Sequence, residues 1–227
     1  MRSLPTLVGL PAVVLTAFLA GAAPRPEGDA VTLFNGKDLT GWSIYVDPAQ
    51  GNYRADSSAK GVFKVANGQI HVSGERFGAL STNKEYENYR LSLEFRWGKK
   101  KWPPRENAVR DSGILMHCVG PDKIWPKSIE CQIQEQDCGD FWMVDGAALT
   151  VDGKRLNAGR AAKKADAEKP SGEWNTVEVT CDGTTIINKI NGVEVNRGTD
   201  ASVKKGRIIL QSEGAEIFFR NVVLRPL

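Results

Sequence analysis

Between Ser112 and Trp142 the chain reads SGILMHCVGPDKIWPKSIECQIQEQDCGDFW, with one of its two histidines, three of its four cysteines and two of its six tryptophans. Taken at the two-residue period of a strand, Ser128, Glu130, Gln132, Gln134 and Gln136 share one side. Ile129, Cys131, Ile133 and Glu135 share the other. Carboxamides both donate and accept, as sugar hydroxyls do, so a carboxylate set among three glutamines suits a ligand rich in hydroxyls. A plain solvated face is the alternative, but solvated strands favour Thr, Lys and Arg over glutamine. Glu130 and Glu135 are five residues apart, which sends them to opposite faces of a regular strand. They therefore cannot flank one sugar as the two carboxylates of a retaining glycosidase do, unless a bulge intervenes.

The elements that must hold this stretch read as strands almost throughout. Phe63–Val65 and Gln69–Ser73 flank an Asn67-Gly68 turn, a hairpin signature. Tyr89 to Trp97 alternates strictly, with Tyr89, Leu91, Leu93, Phe95 and Trp97 on one face and Arg90, Ser92, Glu94 and Arg96 on the other. The following KKKWPPREN segment is expected to end a central strand, given its double proline. Trp174–Cys181, Thr185–Ile190 and Val193–Asn196 are joined by Asp182-Gly183 and Asn191-Gly192 turns, and Arg207–Gln211 and Glu216–Leu224 close the chain. A loop is expected from Asp47 to Lys60. The Ala/Lys-rich stretch near 158–169 alone hints at helical periodicity. Many short strands with tight turns predict an all-β sandwich or barrel in one domain.

Residues 1–22 read as a signal peptide: Arg2, an apolar run from Leu4 to Leu19, then Ala20-Gly21-Ala22 as a cleavage pattern. An uncleaved anchor is the alternative. Residues 23–30 would be a short linker and 31–227 the domain. Export implies a secreted or periplasmic protein with no later membrane span. Removing Arg2 lowers the formal net charge from +3 to +2, too little to imply a nucleic-acid partner. The oligomeric state is not legible.

Four cysteines in an exported chain allow three disulfide pairings. If His117 and Glu130 share the outer face, Cys118 and Cys131 share the inner one, which makes a 118–131 bridge the first expectation. No CxxC occurs, and the spacings match no common zinc module.

LFNGKDLTGW, YRLSLEFRW, the Ser112–Trp142 block and GRIILQSEGAEIFFRNVVL, in that order, resemble the 3-keto-disaccharide hydrolase domain family. The resemblance covers Val31 to Leu227. It implies a concanavalin A-like jelly-roll sandwich of two antiparallel sheets and an exported enzyme cleaving 3-keto-glycosides. A keto group at C3 acidifies the C2 proton, so one base can form an enolate that expels the C1 oxygen, after which water adds. His117 is the expected base, since imidazole titrates near neutral pH. A structural histidine is the alternative, and His71 in QIHVSGE is less well placed. Glu130 joins His117 in the expected catalytic pair, with Gln132 and Gln134 extending its row. Glu94 and Arg96 share the polar face of their own strand, where Arg96 would steady the enolate or a hydroxyl, with an Arg–Glu cross-strand pair as the alternative. Trp125 in KIWPKS would stack on a sugar ring or anchor its loop. Gln211 and Glu213 in LQSEG resemble the family's late-strand polar residues and would close the site. A divalent metal ion on His117, Glu130 and a further carboxylate would be one partner for the enolate, although no ligand motif demands it. A non-catalytic carbohydrate-binding module on the same face is the competing reading, and a purely structural surface protein is a third.

Overall fold

The computed structural model describes residues 26–47 and 59–227. The signal-peptide expectation, the first part of the expected linker and most of the Asp47–Lys60 loop lie outside the described residues. No helix among the described residues is long and apolar enough to cross a membrane.

β1 (Val31–Thr32) and β2 (Trp42–Val46) precede one helical turn, α1 (Ala59–Val62). β3 (Phe63–Ala66) and β4 (Gln69–Val72) pair through the expected turn, where Asn67 and Gly68 take φ of 53° and 71°. The long strands follow: β5 (Gly78–Thr82), β6 (Tyr89–Lys101), β7 (Asp111–Val119) and β8 (Lys127–Gln134). Four short ones come next, β9 (Phe141–Val144), β10 (Leu149–Val151), β11 (Lys154–Leu156) and β12 (Gly159–Ala161). β13 (Asn175–Asp182), β14 (Thr185–Ile190), β15 (Val193–Gly198), β16 (Arg207–Ser212) and β17 (Ala215–Pro226) complete the chain.

Fifteen of these strands make two large antiparallel sheets, and β10 and β11 pair with each other as a separate ribbon. One large sheet runs β15-β14-β13-β6-β17-β4-β3, with β1 on β17; the other runs β12-β9-β8-β7-β16-β5-β2. Between them lies one core. Leu91, Leu93, Phe95 and Trp97 of β6 belong to the same buried cluster as Ile114 and Met116 of β7 and Ile129, Cys131 and Ile133 of β8. Burying each large apolar side chain in this way stabilises the fold by about 1.5–3 kcal/mol. The architecture is the expected all-β, concanavalin A-like jelly-roll sandwich.

Three local expectations change. β6 runs on through Lys99, Lys100 and Lys101, pairing Lys101 with Ala215, and ends at Lys101, two residues before the prolines. The 158–169 stretch contains β12 and no helix. The third change falls on β7. Its pairing with β8 slips between Met116 and Val119, and its pairing with β16 slips between Arg207 and Ile209. His117 sits in this bulge with φ +54°. The extra residue reverses the alternation beyond it. Cys118 therefore packs outside with Ala79, Leu115 and Ile209, whereas Cys131 stays in the main core. The expected 118–131 bridge does not form, and all four cysteines are free and buried.

Candidate active site

The polar row of β8 is not solvated. Ser128, Glu130 and Gln132 are 0%, 5% and 5% exposed. Register sets them against the outer face of β7, with Leu115 opposite Glu130, Gly113 opposite Gln132 and Asp111 opposite Gln134. From β9, Trp142 pairs with Glu130 on the other side. A cavity of about 340 Å3 opens over this face, lined by Asp111, Glu130, Gln132 and Trp142 from the strands. Arg105, Trp125 and Glu213 close it from the loops.

Three carboxyl groups thus converge. Asp111 receives Arg105 at 2.5 Å and the Gln132 amide at 3.0 Å. Glu213 accepts the Trp125 indole N–H at 2.6 Å. Glu130 takes no ion pair from any described residue. Burial, with the Glu213 and Asp111 charges, holds its carboxyl well above the usual carboxylate range. Burial and Glu213 push Asp111 up to about 8 against the pull of Arg105. Burial also raises Glu213, opposed by Arg105 and the Trp125 hydrogen bond. The short Arg105 contact favours an ionised Asp111, so the two influences on that residue conflict. Glu130, with no cation of its own, keeps the cluster's proton most firmly, while Arg105 and the Trp125 hydrogen bond work against the raised Glu213.

Gly113 makes room for this arrangement. A Cβ there would lie 1.9 Å from Glu130 Oε1 and 2.2 Å from Gln211 Oε1, so both side chains cross over the glycine. Gln211 is fully buried, and its amide oxygen and nitrogen have no hydrogen-bond partner; neither has Gln132 Oε1. Buried amides left open in this way are fitted to receive a ligand's hydroxyls.

Of the expected site residues, the fold brings together Glu130, Gln132, Trp125, Gln211 and Glu213. Gln134 stands at the margin, accepting from Gln132 at 3.5 Å. Glu135 points away, as its parity requires, and pairs with Arg110. His117 is a correction. The bulge turns it from the cavity, and it lies 1% exposed and edge-on to Tyr89. Its ring nitrogens sit 2.8 Å from the Glu87 carbonyl and 3.2 Å from the Val203 carbonyl. Burial lowers its pKa, while those carbonyls oppose the shift. The expected catalytic pair and metal set of His117 with Glu130 therefore do not assemble. Among the described residues no three His, Cys, Asp or Glu side chains are arranged to hold a metal ion. Glu94 and Arg96 are also displaced, to the outer face of the opposite sheet. There Glu94 binds Arg220 at 2.6 Å and Asn221 at 2.9 Å, so the Arg–Glu cross-strand pair on this face is made by Arg220 and not by Arg96. His71 pairs with Glu216 at 2.9 Å on that same sheet.

Two site residues escape the sequence reading. Asp111 shares the parity of Gly113 and stands just ahead of SGIL, a legible signal. Arg105 follows the double proline, and no pattern in its loop foretells where it reaches.

The sequence profile of the 3-keto-alpha-glucoside-1,2-lyase-like domain family matches residues 29–225. A search of functionally curated proteins returns no match. Among solved structures, a protein from Parabacteroides distasonis provisionally described as a glycosyl hydrolase aligns with a TM-score of 0.61 and 20% identity, over 87% of this chain and 94% of its own. A Bacillus licheniformis beta-glucanase aligns with a TM-score of 0.53 and 12% identity, over 89% and 99%. The carbohydrate binding module CBM66 of Bacillus subtilis aligns with a TM-score of 0.52 and 11% identity, over 80% and 93%. At these identities the likeness speaks to the sandwich alone. The profile spans nearly the whole domain, and the chain belongs to the 3-keto-alpha-glucoside-1,2-lyase-like domain family.

Proposed function

We propose that this chain is an exported, carbohydrate-active enzyme that cleaves 3-keto-glycosides by elimination and rehydration in the Glu130 cavity. One observation carries the reading: three carboxyl groups with differing environments converge beneath Trp125 and beside two open amides. Family membership supports the choice of a keto-sugar, and the apolar Leu4–Leu19 run supports export.

Carboxyl groups whose environments push their pKa values apart divide into acid and base. Glu213, anchored by Trp125, is the base that takes the C2 proton. The C2 electron pair moves toward the C3 carbonyl, and the enolate oxygen gathers charge that Arg105 offsets. Collapse of the enolate breaks the C1–O bond, and protonated Glu130 supplies the departing oxygen with its proton. In the second half Glu130 takes a proton from the water that adds at C1, and Glu213 returns its proton to C2. Every proton is thereby restored, with net hydrolysis. Gln132 and Gln211 orient the hydroxyls, and Trp125 covers a C–H face of the ring.

The test compares 3-keto-glucosides bearing a nitrophenyl or an alkyl leaving group with the same glucosides lacking the keto group. Release from the keto substrates alone is expected. Glu130→Gln should slow the alkyl substrate by roughly 100-fold while sparing the nitrophenyl one, which needs no acid; Glu213→Gln should slow both. Equal release from keto and non-keto substrates would replace elimination by direct displacement between carboxylates. Glycan binding without any turnover would make the cavity a binding site, the alternative that Trp125 and the open amides favour.

A further inference from the structure

The opposite sheet carries a second cavity, which shares no lining residue with the Glu130 cavity. Lys64 stands opposite His71, His71 opposite Phe218, and Phe218 opposite Arg96, across β3, β4, β17 and β6. Trp174 extends the row, one residue before Asn175, the partner of Phe95. Their planar groups stack. The His71 ring lies 4.8 Å from that of Phe218 at 21°. The Arg96 guanidinium carbon is 5.2 Å from the Phe218 centroid and 5.0 Å from that of Trp174. Arg220 covers Trp174 at 3.9 Å.

Carboxylates answer two members of this column: Glu216 meets His71 at 2.9 Å, and Glu94 meets Arg220 at 2.6 Å. Arg96, between the two rings, has no carboxylate and no hydrogen bond among the described residues, and its Nε is buried without an acceptor. Cation–π contact holds the guanidinium flat but leaves its donors unsatisfied. The adjoining cavity of about 620 Å3 is lined by Arg96, Lys99, Arg110, Ser171 and Glu216. Arg110 is engaged by Glu135 and the Gly98 carbonyl. Glu216 is engaged by His71 and by the amide N–H groups of Lys99 and Lys100. The charge left uncompensated at this cavity is therefore that of Arg96, with exposed Lys99 beside it.

We propose that this cavity is a second ligand site, taking a carboxylate-bearing ligand of sugar size, such as a uronic acid, with Arg96 as its anion anchor. A fixed guanidinium presents two parallel donors that match a carboxylate, and the flanking rings thin the water that would screen the pair. A bare oxyanion would leave most of this volume empty, whereas the cavity falls within the range of about 300–1,000 Å3 typical of small-molecule sites. The site is independent of the chemistry assigned to the Glu130 cavity.

Titration calorimetry of the full chain at low salt, with glucuronate, methyl glucoside and inorganic sulfate, tests the assignment. Glucuronate should bind, the neutral glucoside should not bind in this cavity, and sulfate should bind more weakly. Arg96→Gln should weaken glucuronate roughly tenfold or more. Arg96→Lys, which keeps the charge but not the fork, should fall between, and Lys99→Gln, at an exposed position, should cost a smaller factor. Glu130→Gln should leave glucuronate binding unchanged. Unaltered binding by both Arg96 variants, loss of binding in Glu130→Gln instead, or equal affinity for sulfate would each overturn the assignment, as would no glucuronate binding at all.

Discussion

At the scale of residues, the molecule gathers carboxyl groups where water is scarce and gives them unequal partners. Glu130 lacks a cation, Asp111 has Arg105 and Glu213 has an indole N–H. A group whose folded pKa is raised above its unfolded value stabilises the fold at low pH and loses that contribution as pH climbs through the folded value. For Asp111 that window runs from 3.8 to about 8. The melting temperature should therefore fall across this interval, and Glu130→Gln should flatten the fall. At pH 8 the variant should melt higher than wild type by about 3 °C or more, the response to ~1 kcal/mol in a chain of this size. A steeper fall in the variant would show that Glu130 is ionised in the native state. Catalysis should show the same division. A bell-shaped kcat/KM profile is expected with the alkyl substrate, with Glu213 on the acid limb and Glu130 on the alkaline limb, and the alkaline limb should be absent with the nitrophenyl substrate, which needs no acid.

At the scale of elements, one glycine and one bulge decide what the β7–β8 pair presents. Gly113 is a positioning residue because Glu130 and Gln211 pass directly above it. Gly113→Ala should push both aside and lower kcat by roughly 10–100-fold, with an overpacking cost of about 1–3 kcal/mol visible in denaturant melts. Unchanged kcat would mean that the two side chains have room to move apart without consequence. The Trp125 loop acts at the cavity mouth. Trp125→Phe keeps an aromatic face beside Phe77 but removes the donor to Glu213. The raised Glu213 pKa should climb further, so the acid limb of the pH profile should move to higher pH. A limb that stays in place would detach Trp125 from the base.

At the scale of the whole molecule, two sheets bury one core and leave two outer faces with different chemistry. The β8 face gathers carboxyl groups, and the β6–β17 face gathers stacked cations and rings. The cysteines report on the packing between them. All four are free and buried, so a thiol reagent should find almost none in the native protein and four in denaturant. A count of two in denaturant without reductant would restore a disulfide. Reductant should leave the melting temperature unchanged, since no chain loop is closed by a bridge.

The alternation of Tyr89–Trp97 and the Asn-Gly and Asp-Gly turns determined the sandwich, because a strand's period and a turn's φ requirement are local properties. The polar row through Glu130 and Gln132 was legible for the same reason, Trp125 through its place in the loop between two strands, and the LQSEG pair through family resemblance. Only the tertiary structure decided the rest. The parity that put His117 beside Glu130 holds for a regular strand, and the bulge reversed it at that residue. Glu94 and Arg96 had the right alternation on the wrong sheet, because period tells which side chains share a face and not which sheet owns it. Arg105 reaches Asp111 from an irregular loop, and the carboxyl cluster exists because β7, β8 and the turn after β16 meet there. That meeting is a matter of non-local pairing, which no spacing along the chain encodes.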